Sequence, residues 1–191
     1  MSIRYLPFGE FIAKFLHLED TPDSYGGQAG KLPYIKTTED GLEFLTQKAV
    51  GFTSRVRAYL ATAVQTITSG VITKVQLNAE DYDSQGEFDP TTDYRFTAKK
   101  TGYYQVNAVV RWTGGVDQDY TILYIYKNGA AVAANVARAS GTGYFSQSIS
   151  DIIYLAANDY LELDVYQGTG TDKSLEHDSI WTFMAIHKLS E

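Results

Sequence analysis

From residue 53 onwards, apolar side chains recur at every second position in short stretches separated by turn residues. The clearest stretch places one run of apolar side chains on a single face: Tyr104, Val106, Ala108, Val110 and Trp112. Similar apolar or alternating stretches lie at 56–64, 75–77, 94–96, 123–125, 149–155, 161–165 and 180–186. Alternation with period two is typical of strands that have one buried face. Because no helical pattern separates these stretches, they predict an all-β sandwich.

The stretch YTILYIYKNG, residues 120–129, is apolar on both of its faces. One face holds Leu123 and Ile125, which we expect in the core. The other face is richer in aromatic side chains and holds Tyr120, Ile122, Tyr124 and Tyr126. An aromatic face outside the core must be covered elsewhere or form an exposed patch. The closing Asn128-Gly129 pair indicates a tight hairpin turn.

The first 52 residues have a different pattern. Residues 6–18 predict a short helix, since its apolar side chains follow i, i+3, i+4, i+7 spacing: Phe8, Phe11, Ile12 and Phe15. A helix this short is not stable alone. We therefore expect it to anchor the chain against a partner or another part of an assembly, and a fold-back onto its own domain is the alternative. Residues 19–46 are rich in turn residues and predict a linker or threaded segment.

Composition and charge exclude several classes of function. The chain has 191 residues, a net charge of −7 and no cysteine. The absence of a basic block argues against nucleic acid as a partner, and the absence of thiols excludes disulfides and thiolate metal sites. No apolar run reaches the length of a membrane span, so we expect no membrane insertion. Glu10 and Lys14 interrupt the first apolar stretch, which therefore does not fit a signal peptide.

The sequence also lacks a recognisable catalytic arrangement. Its three histidines, His17, His177 and His187, are far apart along the chain, and no serine-hydrolase or zinc-protease motif occurs. The stretch SYGGQAGKL, residues 24–32, lacks the hydroxyl residue that must follow the lysine of a phosphate-binding loop. We therefore predict no enzyme, no catalytic residue and no cofactor site. The carboxylates of Glu162 and Asp164 fall on one strand face, where we expect solvent around them.

One acidic stretch bears on metal binding. The early consensus positions of an EF-hand loop are matched by Asp81, Asp83, Gln85, Gly86 and Asp89. However, Thr92 replaces the bidentate glutamate that closes such a loop, and no flanking helices are predicted. No metal ligand is therefore assigned. A looser calcium site of loop carboxylates, with Asp117 and Asp119 as further candidates, stays open.

Four segments in order resemble the globular head of C1q-like proteins, a jelly roll shared with the tumour necrosis factor family. They are FTAKKTGYYQVNAVV (96–110), LYIYKNG (123–129), SQSISDIIYLAANDYLELDVYQG (146–168) and TFMAIHKL (182–189). The family's F and G-x-Y positions, its K-N-G turn and its L-x-x-x-D-x-V run are all met, with Leu161 in place of the valine. The resemblance covers roughly residues 53–189 and implies an antiparallel jelly roll that forms homotrimers.

A second resemblance concerns residues 15–45. Their sequence, FLHLEDTPDSYGGQAGKLPYIKTTEDGLEFL, is similar to a short module repeated along bacteriophage tail fibres. The matching hallmarks run from Leu18 to Phe44. Together with the helix predicted from residues 6–18, the two resemblances divide the chain into an N-terminal helix and fibre or anchor segment at 1–52 and a jelly-roll head at 53–191.

The family resemblance also implies a use for the aromatic face. Its members bury such side chains along a three-fold axis. We therefore expect several of six non-core tyrosines to line a trimer interface: Tyr103, Tyr120, Tyr124, Tyr126, Tyr160 and Tyr166. The alternative is a tyrosine-rich sheet that faces solvent.

These observations favour a structural virion protein, either a trimeric head or tail fibre or a decoration protein. We expect its head to mediate assembly and adhesion to a host surface. The expected partners are copies of the chain, other virion proteins bound through the N-terminal segment, and a glycan or protein of the host surface. A glycan-binding or glycan-degrading fibre protein is the alternative. The lack of cysteines and of collagen-like repeats argues against a secreted ligand.

Overall fold

The computed structural model describes residues 31–35, 42–46 and 54–190. The chain divides into two compact units, residues 1–52 and 53–191. In the first unit, strands β1 (Lys31–Ile35) and β2 (Leu42–Thr46) pair antiparallel. The anchor helix predicted from Phe8, Phe11, Ile12 and Phe15 lies outside the described residues.

The described part of the second unit consists of antiparallel strands and their connections. In chain order the strands are β3 (Arg55–Tyr59), β4 (Gln65–Ile67), β5 (Thr73–Lys74), β6 (Ala79–Asp83), β7 (Phe88–Asp89), β8 (Arg95–Thr97), β9 (Gly102–Gly115), β10 (Tyr120–Lys127), β11 (Ala130–Arg138), β12 (Gly143–Leu155), β13 (Tyr160–Gln167), β14 (Lys173–Leu175) and β15 (Phe183–Ser190). No helix long and apolar enough to cross a membrane occurs among the described residues.

The strands form two sheets that pack face to face. The six-stranded sheet has the order β11-β10-β13-β8-β7, and β5 pairs with the far part of β13. The seven-stranded sheet has the order β4-β14-β9-β15-β3-β6, and β12 pairs with β9. Neighbours such as β9 and β15 are distant in sequence, which is the crossed connectivity of a jelly roll. The predicted all-β jelly-roll sandwich is confirmed.

The core lies between the inner faces of the two sheets. The alternating side chains predicted for β9 are buried there: Tyr104, Val106, Ala108, Val110 and Trp112. The six-stranded sheet contributes a second buried set: Leu123, Ile125, Leu161, Leu163 and Val165. Because side chains alternate along a strand, the remaining positions form an outer face on each sheet.

Packing explains the residues at the family's F and G-x-Y positions, which are Phe96, Gly102 and Tyr104. The Phe96 and Tyr104 rings meet edge to face with centroids 5.5 Å apart, and the Tyr104 hydroxyl donates a hydrogen bond to the Lys100 carbonyl. Gly102 has a φ of +156°, and a Cβ there would collide with the Ser190 carbonyl oxygen. Glycine is therefore required where β9 begins.

The alternation predicts two strand ends wrongly. The stretch 56–64 continues its pattern beyond Tyr59, where β3 ends, and Val64 is exposed. The Ala61 N–H donates to the Asn78 side chain, so the chain has left the sheet there. Near the C-terminus Ile180 is exposed, and the core positions of β15 are Met184 and Ile186.

Candidate functional site

The six tyrosines lie on two different outer faces. Five are on the six-stranded sheet: Tyr120, Tyr124 and Tyr126 on β10, and Tyr160 and Tyr166 on β13. Tyr103 is on β9 of the seven-stranded sheet. Their predicted position outside the core is confirmed. The two sets face opposite sides of the sandwich, so the fold does not bring all six together.

Three of the tyrosines of the six-stranded sheet, Tyr120, Tyr124 and Tyr166, line one wall of a groove. This tyrosine groove has a volume of about 600 Å³ and is lined by Gly70, Val71, Ile72, Tyr120, Ile122, Tyr124 and Tyr166. Ile122 lies directly opposite Tyr166 in the pairing of β10 and β13. The other wall is the connection before β5, which is held to β13 by a hydrogen bond from the Gly70 N–H to the Gln167 carbonyl.

The rings of this face pack against one another. The Tyr120 and Tyr166 centroids are 6.2 Å apart, and those of Tyr124 and Tyr126 are 5.7 Å apart, both edge to face. Burial, and secondarily the neighbouring tyrosines, raise the pKa of Tyr124. The Arg138 guanidinium lies 5.3 Å from the centre of the Tyr120 ring. These contacts hold the tyrosines partly buried within one protomer.

Two carboxylates beside this groove are less solvated than the sequence indicates. The expectation of solvent around Glu162 and Asp164 is wrong, since Glu162 is only 8% exposed and Asp164 has a buried Oδ1 atom. The cause is β5, which pairs with β13 and places Lys74 opposite Asp164. The Lys74 Nζ atom lies 2.5 Å from Glu162 Oε1.

Asp164 is the more unusual of the two. Its Oδ1 atom has no hydrogen-bond partner among the described residues. Burial, followed by the charge of Glu162, raises the pKa of Asp164 to about 6, while Lys74 acts in the opposite direction. Pattern reasoning missed this environment because β5, the strand that pairs with β13 here and carries Lys74, lies about ninety residues away along the chain.

The seven-stranded sheet carries a different apolar surface. This Tyr103 patch consists of Tyr103, Ile152, Tyr154 and Leu189, which are 48%, 54%, 49% and 49% exposed. Tyr103 and Tyr154 are cross-strand neighbours, and their ring centroids are 5.3 Å apart. The adjacent apolar pair Ile152 and Ile153 is the sequence signal for this patch, since neighbouring positions of a strand face opposite sides.

The loop carboxylates of the calcium hypothesis are engaged with the backbone. Asp83 accepts hydrogen bonds from four consecutive N–H groups, those of residues 85–88. Asp89 accepts three from residues 91–93, and these bonds lower its pKa. Asp119 pairs with Lys173, and Asp117 accepts from the Gly141 N–H. In the described part of the chain, no group of three or more His, Asp or Glu side chains is arranged to hold a metal ion.

The two described histidines lie in different surroundings. His177 Nδ1 lies 3.3 Å from Glu176 Oε1 in the connection before β15, and His187 is exposed on the outer face of β15. His17 lies outside the described residues.

Comparisons with known proteins bear on the fold. No family model and no curated protein matches the sequence. An Eiger TNF structure from S. frugiperda matches with a TM-score of 0.56 and 12% identity, over 73% of this chain and 94% of that one. Murine APRIL at pH 5.0 matches with a TM-score of 0.56 and 13% identity, over 72% and 99%. The globular domain of zebrafish complement 1qA matches with a TM-score of 0.54 and 13% identity, over 73% and 98%.

These similarities concern the jelly roll. They confirm the C1q/TNF-like fold predicted from the four sequence segments. At such low identity they show the fold alone. The resemblance of residues 15–45 to a phage fibre module stays a prediction.

Proposed function

We propose that this chain is a homotrimeric, non-enzymatic structural protein of a virion. Its jelly-roll head assembles copies of the chain and adheres to a host surface, and residues 1–52 anchor it to other virion proteins. The observation that carries the assembly part is the Tyr103 patch on the outer face of a C1q/TNF-like sandwich. The resemblance of residues 15–45 to a fibre module supports the virion part.

The Tyr103 patch has the properties of a surface that a second copy covers. Its large side chains are about half exposed, whereas the tyrosines of the opposite sheet are more deeply packed within the protomer. Contiguous apolar surface of this kind marks interaction sites. Next to it, Gln105 donates to Ser150, and Ser150 donates to Asn107. An apolar centre with polar, satisfied neighbours is the usual composition of a protein interface.

Symmetry restricts which tyrosines can share the interface. A closed three-fold ring joins two different patches of each protomer, and their outward directions differ by about 60°. The outward directions of two patches on opposite faces of a sandwich differ by far more than this. Contacts between such patches would therefore build an open chain of copies and not a closed ring. The proposal therefore places Tyr103 in the interface and leaves the five tyrosines of the six-stranded sheet facing away from it.

Fewer observations support the alternative that the chain is a glycan-degrading enzyme. A glycosidase needs two carboxyl groups about 5 to 10 Å apart that flank the bound sugar. Glu162 and Asp164 are the carboxylates nearest the tyrosine groove along β13, but neither lines it. Glu162 is also ion-paired with Lys74. We therefore retain binding, and not cleavage, as the role of this face.

The virion assignment is tested by immunogold labelling of intact particles with an antibody raised against residues 53–191. We expect label at discrete positions on the capsid or the tail. Particles lacking the encoding gene serve as the control and should carry no label. Label on neither capsid nor tail would refute the virion role while leaving the oligomeric state to its own measurement.

A further inference from the structure

We propose that the tyrosine groove is a binding site for an uncharged saccharide. This inference rests on the adhesive part of the proposed function and names its ligand class. It follows from the shape of the groove, the tyrosine hydroxyl groups along it and the charges around it.

The shape of the groove suits a small amphipathic ligand. Its volume of about 600 Å³ lies within the range of small-molecule sites. One wall consists of Tyr120, Tyr124 and Tyr166, and the opposite wall exposes the side chains of Val71 and Ile72. A sugar ring has an apolar C–H face and a rim of hydroxyl groups, so it can stack on an aromatic ring and keep its rim polar. Tyrosine has the same division between apolar body and polar tip.

The polar side-chain groups of the groove are tyrosine hydroxyl groups. They belong to Tyr120, Tyr124 and Tyr166, which line one wall. Each can donate one hydrogen bond and accept others. A few such groups in an otherwise apolar groove are what orients a bound small molecule.

The surrounding charges favour an uncharged ligand. A cation would meet the Arg138 guanidinium, which already lies 5.3 Å from the Tyr120 ring centre. An anion would approach Asp164, which lies two residues before Tyr166 on the same face of β13 and opposite Tyr124 in the pairing with β10. The two carboxylates, Asp164 and Glu162, are matched by two cationic groups, Lys74 and Arg138, so the surroundings carry no excess of either sign. Since charges of either sign are opposed, a neutral, hydroxyl-rich ligand fits best.

A second copy of the chain is a poorer occupant of this groove. The groove lies on the sheet opposite the Tyr103 patch, and its tyrosines are already packed edge to face within the protomer. It is a shallow groove between two walls, whereas the Tyr103 patch is an array of half-exposed side chains on a sheet face. In the proposed trimer the groove therefore remains accessible from solvent.

The test is binding of the purified full chain to an array of neutral glycans. Saturation-transfer NMR with the best neutral hit then follows, and choline and glucuronate serve as charged probes. We expect at least one neutral glycan to bind and both charged probes to bind at least roughly tenfold more weakly. Tyr124→Ala and Tyr166→Ala should each weaken the neutral glycan roughly tenfold, since each removes a stacking surface.

Two further variants separate binding from folding. Tyr124→Phe keeps the ring and removes only the hydroxyl, so a smaller loss of affinity is expected. Tyr82→Ala removes a half-exposed tyrosine on the edge of the other sheet and should leave binding unchanged. Binding to no neutral glycan, tighter binding of choline or glucuronate, or equal binding by the Tyr124→Ala and Tyr82→Ala variants would each overturn the proposal. If the wild-type chain is a trimer and is detected on the virion but binds no glycan, the saccharide site is refuted and the proposed function stands.

Discussion

At the scale of single residues, Asp164 makes stability depend on pH. Its folded pKa of about 6 lies above the ordinary value of 3.8, because burial and Glu162 disfavour the charged form. The folded state therefore binds more protons than the unfolded state between these values, and unfolding becomes easier as pH rises through them. We expect Asp164→Asn to raise the free energy of unfolding at pH 8 by about 1 to 2 kcal/mol, after allowance for solvent screening.

The comparison requires urea unfolding at pH 8 and at pH 3.5. At pH 3.5 the folded Asp164 side chain is protonated and therefore neutral, as an asparagine side chain is. The free energies of unfolding of Asp164→Asn and the wild type should then nearly coincide. Asp151→Asn, at an exposed position of β12, is the matched control and should change little at either pH. An Asp164→Asn variant less stable than the wild type at pH 8 would contradict the assigned environment.

The same residue shows where sequence reasoning reaches its limit. Period-two alternation correctly placed Asp164 on the outer side of β13, because that side depends only on local backbone geometry. Its burial depends on β5, which reaches β13 through the tertiary fold. A local pattern identifies the face of a strand, but it does not tell what covers that face.

At the scale of elements, the β10–β11 hairpin is tied to a second turn. Asn128 and Gly129 both have positive φ, +51° and +79°, as a two-residue hairpin turn requires. The Asn128 side chain also donates to Asp159 Oδ1 and accepts from the Tyr160 N–H. Thus one residue of the predicted turn holds the start of β13 in place.

We expect Asn128→Ala to lower the free energy of unfolding by about 2 to 3 kcal/mol, measured by thermal or urea unfolding. About 1 kcal/mol comes from placing alanine at positive φ, and the rest comes from the two lost side-chain hydrogen bonds. Asn128→Gly removes the same hydrogen bonds without the backbone strain, so it should cost less. Equal stability of the alanine and glycine variants would show that backbone conformation contributes nothing here.

The hairpin was predictable because Asn-Gly carries its own turn preference. Its link to residues 159 and 160 was not, since those residues are about thirty positions away. The all-β sandwich could be predicted from many short alternating stretches, and the jelly roll from the resemblance of four segments to C1q-like heads. The order of the strands in the two sheets could be read only from the structure. For the same reason, the six tyrosines could be assigned to outer faces from the sequence, but their division between two sheets could not.

At the scale of the whole molecule, the two outer faces can be told apart by introducing a charge into each. We expect the wild-type chain to be a trimer at micromolar concentration in light scattering coupled to size exclusion. Tyr103→Glu would bury an unpaired carboxylate in the proposed interface at a cost of roughly 3 kcal/mol or more, which corresponds to about a hundredfold weaker assembly. Its matched control is Tyr124→Glu on the opposite face, which should remain trimeric because that residue lines the groove and not the interface.

Each outcome of this comparison has a structural meaning. A wild-type chain found only as monomer would refute the trimer itself. If Tyr124→Glu dissociates and Tyr103→Glu remains a trimer, the interface lies on the six-stranded sheet. Five of the six tyrosines predicted to line the interface are on that sheet. An interface there would also remove the groove from solvent and, with it, the proposed saccharide site. Because the two faces point in opposite directions, the proposed trimer can cover one of them and leaves the other open for the proposed contact with a host surface.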